Sequence, residues 1–236
     1  MKTAHQLVAM VQRFKVRMIV THGNGPQVGS LMLQQEAAKN EVLAQPLSVC
    51  GAMSQGQIGL QLQVALQNAL LEAGITTSVF ALLTRTLVDA NDSAFKNPTK
   101  PVGPFYNIDE ANALKSKQPT WVINAVKKVM PGEDEKKAKV WRRLVPSPKP
   151  QAILEADAIK VLSPNNIVIA TGGGGVPVVA TSKTEYKMTD AVIDKDLASA
   201  RLAITLKPNA FVILTDVPQA YLNYGTAQQK VFFPLH

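Results

Sequence analysis

The stretch VRMIVTHGNGPQVG at residues 16–29 indicates the fold class of this chain. Residues 16–21 form a short apolar, β-branched run that is typical of a buried strand. The run ends at a glycine-rich turn, and Val28 and Leu31 begin a pattern that suits a helix. A strand that passes through a tight turn into a helix is the unit from which parallel sheets covered on both faces are built.

The same alternation of strands and helices continues along the chain. The first fifteen residues, MKTAHQLVAMVQRFK, predict an amphipathic helix, because polar side chains interrupt the apolar ones too often for a secretory signal. We therefore expect an α/β fold in which an open, mainly parallel sheet lies between helices, within a single domain at residues 1–236. Helices are predicted at residues 54–73 (with Gly74 as C-cap), 152–162 and 197–206, and strands at residues 77–84, 167–171 and 210–215.

Residues from about 89 to 150 differ in composition from the sequence on either side. They contain most of the prolines, both tryptophans and the densest lysines. A helix near residues 108–116 and strands near residues 121–126 and 140–145 are predicted within them. We interpret this segment as a protruding lid subdomain that is inserted within the larger domain.

The composition excludes several classes of protein. Hydrophobic residues make up 46% of the chain and charged residues 18%, as in folded domains. The single cysteine, Cys50, rules out an intramolecular disulfide framework and fits a cytoplasmic location. No apolar run is long enough to span a membrane, so no membrane partner is expected. The net charge of +8 is scattered and lacks an aromatic stacking platform, which favours a small anionic substrate over nucleic acid.

Two glycine-rich turns are candidate anion sites. In HGNGPQVG at residues 22–29, Gly23 and Gly25 leave backbone N–H groups accessible at the edge of the sheet where anions bind. Its spacing matches neither the dinucleotide-binding nor the Walker A pattern, so a tight turn without a ligand remains an equal alternative. In TGGGGVP at residues 171–177, four consecutive glycines favour close approach of the backbone to a phosphate over a purely structural bulge.

Charged and polar residues at two further positions are candidates for binding or catalysis. In IDKDL at residues 193–197, Lys195 lies between Asp194 and Asp196, which suits either a surface ion pair or a lysine held in place for a phosphoryl group. In LTDVPQAY at residues 214–221, a polar pair ends a predicted strand, where a nucleotide could contact it. The histidines are too dispersed for a metal site, and none is predicted.

Six motifs, taken in order, resemble the carbamate kinases, a group within the amino acid kinases. The most specific is NPTKPVGPFY at residues 97–106, because related amino acid kinases do not share it. The resemblance implies an amino acid kinase-like sheet with a protruding subdomain, and a homodimer. The six motifs are THGNGPQVG, VCGAMSQGQIG, LVDANDSAFKNPTKPVGPFY, WRRLVPSPKP, TGGGGVPVV and DAVIDKDLASARLA.

The resemblance also implies a reaction and roles for particular residues. The substrates would be ATP or ADP with Mg²⁺, together with carbamate or carbamoyl phosphate, as in arginine fermentation. The catalytic lysine would be Lys195, which neutralises the transferring phosphoryl group, with Asp194 or Asp196 orienting it. The binding residues implied are Gly23, Asn24 and Gly25 for carbamoyl phosphate, Gly172, Gly173, Gly174 and Gly175 for the nucleotide phosphates, and Thr215, Asp216 and Tyr221 near the nucleotide base.

Three departures from the family pattern predict impaired activity. Family members begin with a strand that ends in a Gly-Gly-Asn turn and later carry a Gly-Ser-Met-x-Pro-Lys segment, so the fold is expected to be incomplete at both ends. A catalytic lysine is also expected shortly before the Trp-Arg-Arg motif, where Lys136, Lys137 or Lys139 could serve. Two alternatives remain open: a non-catalytic nucleotide-binding dimeric remnant, and another amino acid kinase that acts on a carboxylate.

Overall fold

The computed structural model describes residues 2–215, 221–223 and 225–232. Its helices are α1 (Lys2–Phe14), α2 (Gly25–Ala38), α3 (Leu47–Glu72), α4 (Ile108–Lys117), α5 (Ala156–Leu162) and α6 (Lys195–Leu206). Its strands are β1 (Ile19–Val20), β2 (Ser78–Ala81), β3 (Arg85–Val88), β4 (Lys100–Tyr106), β5 (Val122–Ala125), β6 (Trp141–Val145), β7 (Pro150–Ile153), β8 (Asn166–Ile169), β9 (Val176–Ser182), β10 (Glu185–Met188), β11 (Tyr221–Leu222) and β12 (Lys230–Val231). None of the helices in these residues is long and apolar enough to cross a membrane.

The central sheet has the order β1–β8–β2, and every pairing in it is parallel. Successive side chains of β8 point to opposite faces, as in any strand. Ile167 and Ile169 pack against α1 and α3 through Val8, Leu66 and Leu70. The predicted parallel sheet, and the amphipathic helix predicted for the first residues, are therefore confirmed.

The opposite face of the same sheet is covered by α5 and α6. Val168 and Ala170 lie in one buried cluster with Ile159 of α5 and with Ala198 and Leu202 of α6. The sheet is thus enclosed between two helical layers, as the alternating pattern predicted. This arrangement places the N-terminus of α6 near the end of β8.

A second sheet continues from the first in the order β10–β9–β3–β7. Its central pair, β3 and β9, is parallel, and the two outer pairings are antiparallel. The chain passes from the first sheet to the second twice, between β2 and β3 and between β8 and β9. At this junction Gln55 accepts a hydrogen bond from the Thr84 backbone N–H at 3.0 Å, and the Thr171 N–H donates to Thr84 Oγ1 at 2.9 Å. The junction is therefore closed by buried polar contacts.

A third sheet, β4–β6–β5, is antiparallel and carries α4; we call it the lid sheet. Asn107 and Glu110 form a reciprocal capping box that begins α4. Val102 and Val145 of the lid sheet pack against Val28 of α2. The helix and two strands predicted in this segment are present, and its assignment as a protruding lid subdomain stays a prediction.

One predicted helix starts too early, and one predicted strand is wrong. A helix was expected at residues 152–162, but β7 occupies its start because Ala152 pairs with Leu87 of β3, and α5 begins only at Ala156. A strand was expected at residues 210–215, but the structure forms none there, and the Phe211 and Leu214 side chains are exposed. The apolar pattern of that run suits a strand, yet no strand among the described residues pairs with it.

Candidate active site

An open cleft of about 230 Å³ lies where several separate segments meet. Its wall includes Asn24 and Gly25 from the first glycine turn, Gly173 from the second, and Lys100 and Lys195. These residues come from the starts of α2, β4 and α6 and from the glycine turn that follows β8. The cleft thus lies at the carboxyl end of parallel strands, which is the usual position of a ligand site in such sheets.

The first glycine turn is fixed against α3 and the second glycine turn. Asn24 Nδ2 donates to Ser54 Oγ at 2.8 Å, and the Gly173 N–H donates to the His22 carbonyl at 2.8 Å. Gly25 begins α2 at the cleft wall, so the positive end of the helix dipole faces this region. The turn can therefore offer fixed partial positive charge to an anion.

The first two glycines of the second turn are required by packing against the first turn. A Cβ at Gly172 would overlap the His22 ring, and a Cβ at Gly173 would overlap the Asn24 amide. Gly173 also has a φ of +61°, which favours glycine over other residues. Packing therefore explains both glycines without a ligand.

Gly174 and Gly175 are also required by packing, here against Ile193 and Thr86 and not against the first glycine turn. A Cβ at Gly174 would lie 2.7 Å from the Ile193 carbonyl oxygen, and a Cβ at Gly175 would overlap the Thr86 hydroxyl. Both have positive φ angles, +93° and +84°. The structural explanation that sequence reasoning disfavoured accounts for all four glycines, and their contact with nucleotide phosphates stays a prediction.

Lys195 is placed by its position at the start of α6. Asp194 is the N-cap, and its Oδ1 accepts hydrogen bonds from the N–H groups of Asp196 at 3.0 Å and Leu197 at 3.3 Å. Lys195 Nζ lies 2.8 Å from Asp196 Oδ1, and its aliphatic stem passes close to Gly23. The IDKDL segment thus forms an ion pair that also lines the cleft.

Lys100 is a cleft residue to which sequence reasoning assigned no role. It is the first residue of β4, and its Nζ lies 3.4 Å from Asp194 Oδ2. Two ammonium groups, those of Lys100 and Lys195, therefore line one cleft. The only sequence signal for Lys100 was its place in the most specific motif, NPTKPVGPFY.

Asp194 is held in its charged form. Partial burial alone would raise the pKa of this carboxyl, but the backbone N–H groups of Leu197 and Asp196 and the Lys100 ammonium outweigh that effect and lower the pKa. At neutral pH Asp194 is thus an anion that accepts hydrogen bonds from the backbone at the start of α6 and from Lys100. Its oxygens are occupied by these contacts, which suits an orienting role better than proton transfer.

His22 is a structural residue of the first turn. Burial lowers its pKa, although a hydrogen bond between Nδ1 and the Gly23 carbonyl oxygen at 2.9 Å acts in the opposite direction. The ring packs over Gly172. The neutral imidazole therefore fills the space between the two glycine turns.

The three lysines proposed from the sequence as substitutes lie elsewhere in the described structure. Lys137 Nζ lies 3.9 Å from Asp134, and Lys139 Nζ lies 3.8 Å from Glu110, both at exposed positions. Lys136 is exposed as well, and none of the three is among the described residues that line the cleft. Lys100, in contrast, lines the cleft.

The residues expected near the nucleotide base are Thr215, Asp216 and Tyr221. Thr215 ends the exposed run at residues 210–215, and Tyr221 begins β11. Asp216 lies outside the described residues. The role of these three residues stays a prediction.

The described residues do not form a metal site of their own. They contain no group of three or more His, Cys, Asp or Glu side chains arranged to hold an ion. The two carboxylates at the cleft, Asp194 and Asp196, are each paired with a lysine. The binding of Mg²⁺ together with the nucleotide stays a prediction.

Comparison with known proteins identifies the family. Residues 1–231 match the model of the amino acid kinase family. The chain is 46% identical over 232 residues to a carbamate kinase of Pyrococcus furiosus, covering 97% of this chain and 70% of that protein. It is 44% identical over 233 residues to a carbamate kinase of Latilactobacillus sakei, covering 97% and 70%. A solved carbamate kinase from Giardia lamblia bound to AMP-PNP has a TM-score of 0.82 and 39% identity, covering 97% of this chain and 69% of that one.

These matches agree with the architecture and with the cleft. They extend over nearly the whole chain, so they include both glycine turns, the lid sheet and the start of α6. The chain spans about 70% of the length of the Pyrococcus relative. The chain belongs to the amino acid kinase family, within its carbamate kinase group.

Proposed function

We propose that this chain catalyses reversible phosphoryl transfer between carbamoyl phosphate and ADP, giving ATP and carbamate. The observation that carries the proposal is the convergence of Lys100 and Lys195 on one cleft, beside the first glycine turn. Phosphoryl transfer requires mainly positioning and the neutralisation of charge on the transferring group. Two lysines and a helix N-terminus in one cleft meet that requirement.

The reaction needs no covalent contribution from the protein. In the ATP-forming direction, a β-phosphate oxygen of ADP forms a bond to phosphorus as the bond between phosphorus and the carbamate oxygen breaks. Carbamate leaves with the electron pair of that bond. Lys100 and Lys195 stabilise the charge on the equatorial oxygens of the phosphoryl group during the transfer.

The remaining cleft residues bind and orient the two substrates. Gly23, Asn24 and Gly25 would hold carbamoyl phosphate through backbone N–H groups and the helix dipole. Gly173 packs directly against Asn24 of this turn and also lines the cleft, so the second glycine turn would hold the nucleotide phosphates next to carbamoyl phosphate. The nucleotide would be ATP or ADP as its Mg²⁺ complex, because Mg²⁺ is usually bound through substrate phosphates together with only one or two carboxylates.

We also propose that the chain acts as a homodimer through α3. One face of this 26-residue helix is buried, while Met53, Leu60, Val64 and Leu71 are exposed on it at intervals of seven, four and seven residues. This spacing places an apolar stripe along the outer side of the helix. A second copy of the same stripe would cover it symmetrically.

The cellular setting follows from the reaction. An enzyme that makes ATP from carbamoyl phosphate would serve the last step of arginine fermentation in the cytoplasm. The substrate preference separates this proposal from the main alternative, because a kinase of free amino acids would phosphorylate a carboxylate.

The test is a coupled assay that measures ATP formed from ADP and carbamoyl phosphate, alongside acetyl phosphate as a competing acyl phosphate donor. The reverse direction is measured with ATP and either carbamate or glutamate. We expect carbamoyl phosphate and carbamate to be used in preference. A preference for glutamate would favour an amino acid kinase that acts on carboxylates, and nucleotide binding without turnover would favour a non-catalytic protein.

A further inference from the structure

We propose that Arg143 is a positioning residue that ties the lid sheet to residues 189–194, the loop that leads into α6. We call this loop the α6 entry loop. The consequence of this tie is that Lys100, on the lid sheet, stays beside Asp194 at the end of the loop. The structural part of the proposal stands by itself, and its effect on turnover rests on the function proposed above.

The Arg143 side chain is held on two sides. Its guanidinium Nη2 donates to Asp190 Oδ2 at 2.8 Å, and its Cζ lies 4.1 Å from the centre of the Trp121 ring. Only 11% of the Arg143 side chain is exposed, whereas 43% of the Asp190 side chain is. An arginine this well covered depends on its carboxylate partner, because an unpaired buried charge is strongly unfavourable.

Asp190 lies on a different part of the fold from Arg143 and Trp121. Arg143 is in β6 and Trp121 precedes β5, so both belong to the lid segment, while Asp190 lies between β10 and α6. The ion pair therefore joins two segments that are otherwise separate in the chain. A second link lies next to it, where the Val192 N–H donates to the Pro146 carbonyl at 3.0 Å.

The pairing of β4 with β6 places Lys100 close to Arg143 in the lid sheet. In the lid sheet Arg143 pairs with Val102, and Val145 pairs with Lys100. Lys100 in turn contacts Asp194 at the other end of the α6 entry loop. Three contacts therefore join the lid segment to Asp190, Val192 and Asp194 of this loop. Two of them are ion pairs, and the Arg143–Asp190 pair, at 2.8 Å, is shorter than the Lys100–Asp194 pair, at 3.4 Å.

The chain offers a matched control for Arg143 on the same strand. Arg142 also stacks on an aromatic ring, that of Phe105 at 4.8 Å, but its guanidinium donates to the Gly103 carbonyl at 2.8 and 3.1 Å. Both of these partners belong to the lid segment. Replacing Arg142 therefore perturbs the lid sheet without removing a contact to the α6 entry loop.

The first test measures amide hydrogen exchange in the α6 entry loop, without any substrate. In Arg143→Met and in Asp190→Asn we expect exchange at Val192 to be faster by about tenfold. Arg142→Met should leave it unchanged. The double variant Arg143→Met/Asp190→Asn should match the single variants, because both remove the same contact. Unchanged exchange in both single variants, or equal acceleration in Arg142→Met, would overturn the proposal.

The second test separates positioning from binding. For the ATP-forming reaction we expect Arg143→Met to lower kcat by about tenfold to a hundredfold, because Lys100 would no longer be held in place. The KM for ADP should change little. An altered exchange rate with unchanged kcat would overturn the positioning role. Absence of turnover in the unmodified chain would instead count against the proposed function, while the exchange result would still decide whether the tie exists.

Discussion

Lys100 Nζ lies 3.4 Å from Asp194 Oδ2, although the two residues are 94 positions apart in the chain. Lys100 begins a strand of the lid sheet, and Asp194 caps the helix that carries Lys195. One carboxylate therefore both starts α6 and holds a lysine from the lid sheet. The geometry of the cleft depends on this contact.

Two substitutions of Asp194 should separate its role as the cap of α6 from its contact with Lys100. Asp194→Asn retains a side-chain oxygen that can cap α6, so we expect unfolding free energy close to that of the unmodified chain. Asp194→Ala removes the cap and should lower the unfolding free energy by about 1 kcal/mol. Both variants lose the charge that holds Lys100, so both should lower turnover by at least about tenfold. Urea unfolding and the coupled assay measure the two effects, and full activity in Asp194→Asn would contradict the orienting role.

Gly173→Ala should destabilise the fold strongly. The added Cβ would meet the Asn24 amide in a backbone conformation with φ of +61°. We expect a loss of unfolding free energy of about 2 kcal/mol or more. Gly56→Ala is the control, because nothing lies within 4 Å of that exposed helical position, and alanine there should stabilise the helix by about 0.5–1 kcal/mol. Equal effects of the two substitutions would mean that the glycine turns are not packed as described.

The burial of His22 should make stability depend on pH. Because the folded-state pKa lies below the ordinary value of about 6.5, the contribution of His22 is fully present above that pH and is lost as the pH falls towards the folded pKa. Unfolding free energy should therefore decrease between about pH 7 and pH 5. His22→Asn should show a smaller decrease, since that side chain does not titrate. An equal decrease of the unfolding free energy in His22→Asn and in the unmodified chain would mean that another group causes it.

A charge on the exposed stripe of α3 should prevent dimer formation. Leu60 is 61% exposed and Val64 is 52% exposed in the described single chain, so Leu60→Lys or Val64→Lys should leave the fold intact. Sedimentation equilibrium should show a dimer for the unmodified chain and a monomer for these variants. Val161→Lys, at an exposed position on α5, is the matched control. A dimer that persists in Leu60→Lys would place the interface on another surface.

Much of the fold could be predicted from local patterns. Apolar runs at residues 16–21 and 167–171, each followed by glycines, indicate buried parallel strands, and the structure has β1 and β8 there. The run at residues 210–215 is also apolar but forms no strand. A strand depends on a neighbour that supplies its hydrogen bonds, and sequence periodicity does not report on the neighbour.

Only those site residues that lie together in one short segment could be predicted from the sequence. Lys195 between two aspartates could be recognised from IDKDL, and the first glycine turn from HGNG. The position of Lys100 could not, because it depends on how the lid sheet packs against the α6 entry loop. The sequence alone favours phosphate contact for the four glycines, because the residues that they pack against, among them His22 and Ile193, are distant in the chain.

The most direct test of the account is the rate of ATP formation from carbamoyl phosphate and ADP in three lysine variants. We predict that Lys195→Met and Lys100→Met each lower kcat by about a hundredfold or more, with ADP binding measured by calorimetry nearly unchanged. Lys139→Met, which alters an exposed lysine outside the cleft, should retain the rate of the unmodified chain. Equal rates in all three variants would contradict the assignment of this cleft as the site of phosphoryl transfer.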